Sequence, residues 1–422
     1  MRVFKFGGAS VKDADAVRNV KDILDLYPHE KIVVIISAMG KTTNALEKVV
    51  EAKWNNEETE FLNLIKEVEA YHISILENLI GNKKNSIFNS INKVFTELKA
   101  SFKLPKNESY DCEYDQIVSL GEILSTKIVT SYLQLCCKKC EWQDARTLIC
   151  TDSSYRNAEV DWVKTEKAIK NELRSIFQKT DIIITQGFIG RTENGLTTTL
   201  GREGSDYSAG IVAFCIDADN VTIWKDVPGM LNADPKYFDD TIKLNQISFK
   251  EAIELAYYGA SVIHPKTIKP LQNKNIPLYV KSFIHPKESG TIIQASMDQD
   301  HLIPSFIFKM NQLLISITPK DFSFIVEKNL SSIFQVLNDL GVKINIMQNS
   351  ALSFSFLVDA DKNDIQKILN AFSGEFEVKY NENVELVTIR HYNESTINRV
   401  CGVKQVLMEQ RTRETSRLVL KP

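Results

Sequence analysis

Histidine is scarce in this chain: six in 422 residues, scattered along it. No His-x-x-x-His pair and no Ser/His/Asp spacing occurs, so metal-assisted hydrolysis and triad chemistry find no support. Cysteine is sparse too, seven residues at irregular spacing, an odd count that argues against a disulfide framework. Cys136, Cys137 and Cys140 cluster at the end of a helical run, but a zinc or redox site would need a second Cys/His pair or a βα context. They read as buried or half-buried thiols. An excess of one charge is also missing, since 51 Lys and Arg face 54 Asp and Glu and leave a net −3. Such a chain has no basic field for nucleic acid or an anionic membrane. No apolar run approaches the roughly 20 residues of a membrane span. The opening Met1-Arg-Val-Phe-Lys-Phe-Gly-Gly lacks the apolar core of a secretory signal, so a cytoplasmic location is expected.

What remains is an ordinary globular composition, 43% hydrophobic and 25% charged. Over residues 1–295, short β-branched runs (3–6, 32–36, 181–185, 221–224, 278–281) alternate with stretches of helical period (14–25, 119–135, 162–177, 205–216, 249–258). That alternation predicts an α/β fold, a mostly parallel sheet between two helical layers. Residues 45–103 read as helix only, with Phe61, Leu64, Ile65, Val68 and Ile75 on one face.

Residues 286–304 read as a linker. After it the order becomes strand, helix, two strands, helix, strand over residues 305–383, the ferredoxin-like α+β plan. The tail partly repeats this. At an offset of 61, residues 341–358 and 402–419 share seven identities in 18 positions. Residues 384–422 supply strands and one short helix, a truncated second module expected to dock on the complete one, within the chain or across a homodimer.

Glycine is rationed, 17 in all, yet six fall between Gly187 and Gly210, and Gly7-Gly8 follows the first strand directly. Both clusters open helices after strands, where open α/β sheets hold ligands, and glycine lets main-chain N–H groups approach an anion. With Lys5, Arg202 and Asp206 beside them, they read as an anion site. Met39-Gly40-Lys41-Thr42 imitates a P-loop, but Ile35 stands where its first glycine is required. No G-x-G-x-x-G occurs.

Lys5-Phe-Gly-Gly-Ala-Ser-Val resembles the opening signature of aspartate kinases, members of the amino acid kinase family. The resemblance runs in order through Thr43-Asn44, Val118-Ser-Leu-Gly-Glu122, Thr185-Gln-Gly-Phe-Ile-Gly, Gly201-Arg-Glu-Gly-Ser-Asp206, Trp224-Lys-Asp226 and Gly259-Ala-Ser-Val-Ile-His-Pro265, and the tail resembles ACT regulatory modules. It implies an amino acid kinase domain (1–295), an ACT-like module (305–383) and an ACT-like half-module (384–422). It also implies transfer of the ATP γ-phosphoryl group to the β-carboxylate of L-aspartate, giving L-aspartyl phosphate for lysine, threonine and methionine biosynthesis. Such a nucleophile has a pKa near 4 and needs no general base.

By the same resemblance, Lys5 neutralises the transferring group, with Gly7 and Gly8 beside it, and Asp206 orients Lys5 or the Mg²⁺-ATP assembly. Arg202 grips the substrate α-carboxylate, Glu122 the α-ammonium, and Thr43, Gly204 and Ser205 line the same place. The nucleotide lies along Lys225, Asp226, Leu231, Lys236 and Ser261. Leu231, Lys236 and Ser261 depart from the family's usual aromatic, arginine and lysine, and Glu203 stands for a glycine. The implied cofactors are ATP and Mg²⁺, with no residue assigned as a metal ligand. The implied partners are L-aspartate, a lysine or threonine effector and a second copy of the chain. Two alternatives stand beside this reading: a kinase for glutamate, N-acetylglutamate or a nucleoside monophosphate, and a non-catalytic amino-acid sensor.

Overall fold

The computed structural model describes residues 1–82, 85–260, 263–360 and 365–422. These form two compact units: Met1–Met230 with Lys243–Ala256 and Ser261–Asp300, and Leu231–Ile242 with Tyr257–Ala260 and His301–Pro422.

The first unit is built on an eight-stranded sheet. Its strands are β1 (Arg2–Phe6), β2 (Ile32–Ile36), β3 (Cys140–Gln143), β4 (Ile182–Gln186), β7 (Asn220–Lys225), β8 (Gln246–Ser248), β9 (Leu278–Ser282) and β10 (Thr291–Gln294); β5 (Ile189–Arg191) and β6 (Thr197–Thr199) make a separate hairpin. The order is β3-β4-β2-β1-β7-β9-β10-β8, parallel except between β9 and β10. All five β2 residues are buried, the unbroken apolar run of a strand covered on both faces. α1 (Ala14–Asp25) starts where the Asp13 carboxylate accepts the Ala16 N–H at 2.8 Å, and it buries Val17, Val20, Ile23 and Leu24.

The all-helical stretch is α2 (Thr42–Trp54), α3 (Glu58–Ile80), α4 (Ser86–Ala100), α5 (Tyr110–Val118) and α6 (Leu120–Leu135). Phe61, Ile65, Val68 and Ile75 are buried as expected, but Leu64 is only half-buried, because the inward face continues through His72 and Leu76 instead. α7 (Trp162–Ile176), α8 (Gly204–Cys215), α9 (Phe249–Tyr258) and α10 (Pro265–Asn273) follow. Because β1, β2, β4 and β7 run parallel, the segments after Phe6, Ile36, Gln186 and Lys225 all emerge at one end of the sheet.

Two local readings change. The stretch read as a linker contains β10, whose Thr291 and Ile293 point inward, a strand too short to show its period in sequence. Of the clustered thiols, Cys140 is buried at the head of β3, but Cys137 is exposed.

The second unit carries β11 (Ser305–Pro319), α11 (Glu327–Asp339), β12 (Ile344–Asn349), β13 (Phe354–Asp359), α12 (Ile365–Phe372), β14 (Phe376–Arg390), α13 (Glu394–Cys401), β15 (Gln405–Arg411) and β16 (Thr415–Lys421). One six-stranded antiparallel sheet contains every strand, in the order β12-β13-β11-β14-β16-β15. β11 and β14 are long because each serves both modules. They pair from Ser305–Arg390 to Pro319–Phe376, with register shifts near Asn311 (φ 52°), and β14 has its own left-handed residue at Asn383 (φ 54°). Thus no linker divides the modules; a bend does.

The half-module is completed within the chain. Residues 305–309, ahead of the first module, pair with 386–390 and occupy the place of its missing fourth strand. One face of the sheet buries Leu314, Ile346, Leu357, Leu386, Met408 and Val419 together. Gln410 donates to the Met347 carbonyl and Arg417 to the Asn345 carbonyl at 2.7 Å, so the two outer ends of the sheet approach each other. Leu313–Ile317 is paired on both sides, by β13 and β14.

Candidate active site

At the strand ends of the first unit lies a cavity of about 480 Å³, lined by Lys5, Ser37, Thr43, Tyr114, Glu122, Arg156, Phe188, Gly201, Arg202, Glu203, Gly204, Ser205, Asp206 and Lys225. All seven residues assigned from sequence to catalysis or to the acceptor, namely Lys5, Thr43, Glu122, Arg202, Gly204, Ser205 and Asp206, line it together.

β1 carries Lys5, held in register between Ile35 of β2 and Ile223 of β7. Its ammonium lies 2.6 Å from Asp206 Oδ1, and Lys225 Nζ approaches Asp206 Oδ2 at 3.8 Å. Lys5 and Asp206 are 8% and 2% exposed, so this ion pair is poorly screened. The chain turns at once after Phe6. A Cβ on Gly8 would stand 2.8 Å from the carbonyls of Ala38 and Gly40, so only glycine permits this approach of the two post-strand loops. Gly7 lies against Lys5 Nζ, though neither glycine lines the cavity itself.

α8 presents its N-terminus to the cavity through Gly204, Ser205 and Asp206. Here too a glycine is obligatory: a Cβ on Gly187 would fall 2.5 Å from the Ser205 Cβ. Beneath the loop, buried Asp115 accepts from Thr199 Oγ1 (2.7 Å), Thr199 N (2.8 Å) and Arg156 N (3.0 Å), which ties α5 to the hairpin and to the chain at Arg156. Burial pushes the Asp115 carboxyl up to about 6 despite these donors.

Glu122 also lines the cavity, on the first turn of α6 and 3% exposed. One of its oxygens accepts the Ala38 N–H at 3.3 Å; the other is buried with no hydrogen-bond partner. Burial raises this carboxyl to about 8.

Six lining residues had no role assigned from sequence: Ser37, Tyr114, Arg156, Phe188, Gly201 and Glu203. Glu203 precedes α8 with left-handed backbone (φ 54°), and its Oε2 is buried without a hydrogen-bond partner. Of the assigned nucleotide residues, only Lys5 and Lys225 line the cavity. Asp226 is exposed in the turn after β7. Leu231 and Lys236 group with the second unit, and Ser261 lies outside the described residues.

The chain matches the amino acid kinase family over residues 1–282. It is 32% identical over 359 residues to chloroplastic aspartokinase 1 of Arabidopsis thaliana, covering 83% of this chain and 62% of the relative. It is 30% identical over 352 residues to lysine-sensitive aspartokinase 3 of Escherichia coli, covering 83% and 76%. Two crystal structures of E. coli aspartokinase III share the fold. The complex with lysine and aspartate has a TM-score of 0.81 at 25% identity, covering 99% of this chain and 95% of that one. The complex with aspartate and ADP has a TM-score of 0.78 at 26% identity, covering 100% and 96%. The chain belongs to the amino acid kinase family and, within it, to the aspartokinases.

Proposed function

We propose that this protein phosphorylates the β-carboxylate of L-aspartate with ATP, and that its tail reads an amino-acid effector, lysine or threonine. One observation carries the reading. A buried carboxylate oxygen without a hydrogen-bond partner, on Glu122, lines the same cavity as the Lys5–Asp206 pair. An acceptor with a free ammonium satisfies Glu122; N-acetylglutamate and nucleoside monophosphates do not. The relatives whose crystal complexes hold aspartate with ADP or with lysine support the same substrates here.

The chemistry asks for electrostatics rather than a base, because one anion must meet another. Lys5 supplies the cation where charge accumulates, Asp206 fixes its position, and Lys225 adds a second positive group beside them. Arg202 holds the α-carboxylate and Thr43 hydrogen-bonds the bound amino acid, which leaves the β-carboxylate to meet the phosphoryl group. The amides of Gly204 and Ser205, with Lys5 and Lys225, suit the phosphates of ATP. Among the described residues no cluster of three or more His, Cys, Asp or Glu forms a metal cage. Mg²⁺ needs none, since it takes one or two carboxylates with phosphate oxygens and waters. Asp206 and Glu203 are the carboxylates at hand, and Mg²⁺, when bound, shields the phosphate charge.

Glu122 gives this reading its test. Its carboxyl, at about 8, is mostly protonated in the free protein at pH 7 and must ionise to pair with an ammonium. L-Aspartate binding is therefore expected to release close to one proton at pH 7, and affinity should rise about tenfold per pH unit from 6 toward 8. For the free protein, a raised folded pKa stabilises below the unfolded value near 4.5 and loses that contribution as pH rises through 8. Calorimetry in buffers of different ionisation enthalpy measures the proton count, and Glu122→Gln should abolish it. Binding without proton release would remove Glu122 from the ammonium site.

The homodimer is proposed through the second unit, which leaves Phe322 77% and Phe324 68% exposed, with Leu352 also uncovered. Sedimentation velocity is expected to give a dimer that Phe324→Asp weakens at least tenfold. A monomer at micromolar concentration would refute it.

A further inference from the structure

The cavity contains two arginines, and the family resemblance gave a task only to Arg202. Arg156 has several marks of a residue set in place. Its backbone is left-handed (φ 62°), a conformation that side chains other than glycine's adopt at a cost. Its N–H is held by buried Asp115 at 3.0 Å. Its guanidinium lies over the Tyr114 ring, 4.5 Å from the centroid, and its NH1 stands 3.3 Å from Asp111 Oδ1. The stack and the ion pair narrow the rotamers open to this side chain, which stays 49% exposed at the cavity.

Its location follows from its neighbours. Tyr114 donates its hydroxyl to Glu47 Oε1 at 2.7 Å, and Glu47 is four residues from Thr43 on α2, one turn away on the same face. The Arg156 carbonyl stands 3.2 Å from where a Cβ of Gly201 would be, next to Arg202 in the chain. Arg156 is thereby placed near two of the residues assigned to the amino-acid substrate, Thr43 and Arg202, and lines the same cavity. Lys5, Lys225 and Asp206 form a separate ion-pair group.

We propose that Arg156 is a second carboxylate-binding residue of the acceptor site and shares the substrate α-carboxylate with Arg202. This rests on the function proposed above. A carboxylate has about four lone-pair sites, enough for two guanidinium groups approaching from different sides. With Glu122 on the ammonium, the α-centre would be gripped by three charges. The side-chain carboxylate would then be left free to react.

The test uses Arg156→Gly, since glycine takes the left-handed backbone without strain and keeps the N–H bond to Asp115. Wild-type turnover of L-aspartate is measured first; if there is none, the functional proposal fails. With an active wild type, Arg156→Gly should raise the aspartate KM at least tenfold while kcat and the ATP KM stay within about twofold. Arg156→Lys should restore part of the loss. The double variant with Arg202→Ala should lose less than the product of the two single effects, because both residues grip one group. An unchanged aspartate KM in a variant that melts like wild type would overturn the assignment of Arg156 alone. A fully multiplicative double variant would overturn the shared carboxylate.

Discussion

Lys5→Ala is expected to lower kcat by roughly a thousandfold, about 4 kcal/mol of transition-state stabilisation, with the aspartate KM changed far less. The reasoning is electrostatic. Two anionic groups must come within bonding distance, and the buried Lys5 ammonium, 8% exposed, acts where solvent cannot screen it. Lys5 is also the partner of Asp206, so a purely structural effect must be separated from a catalytic one. Lys225, 3.8 Å from the other Asp206 oxygen, leaves that carboxylate with a cation when Lys5 is removed, which favours a folded variant. Steady-state kinetics with a melting curve decides the matter. A folded Lys5→Ala that keeps more than a tenth of wild-type kcat would make Lys5 structural.

Arg202→Lys should raise the aspartate KM about 30-fold, the equivalent of about 2 kcal/mol, with little change in the ATP KM. Lysine preserves the charge but not the planar fork that takes a carboxylate through two parallel hydrogen bonds. Arg202 lies in the turn between the hairpin and α8, exposed at the cavity, so its replacement disturbs no packed core. A loss confined to the aspartate KM would separate the acceptor end of the cavity from the nucleotide end. An unchanged aspartate KM would remove Arg202 from the acceptor site.

Much of the first unit was legible because its signals are local. An unbroken run such as Ile32–Ile36 can only be a doubly covered strand, and Asp13 or Asp161 before an amphipathic stretch marks a helix start. Lys5, Glu122 and Asp206 stood in ordered motifs, and the parallel sheet brings their segments to one end. What stayed hidden depends on distant pairing. Residues 305–309 read with the first module in sequence, and only the register with 386–390 makes them the completing strand of the half-module.

Arg156 and Tyr114 had no motif either. Their place depends on Asp115 bonding to Thr199, 84 positions along the chain. The nucleotide residues rest on motif order alone; of them Lys5 and Lys225 line the cavity, while Leu231 and Lys236 belong to the second unit.

Phosphoryl transfer from ATP to an acceptor that bears an ammonium is the central reaction proposed for this protein. Its most direct test is ADP release by the purified protein with Mg²⁺-ATP and, in turn, L-aspartate, L-glutamate, N-acetylglutamate and UMP, with hydroxylamine present to trap an acyl phosphate. ADP release that requires L-aspartate and yields aspartyl hydroxamate is the predicted result. Release driven by one of the other acceptors, or no release from a folded protein that binds L-aspartate, would contradict it.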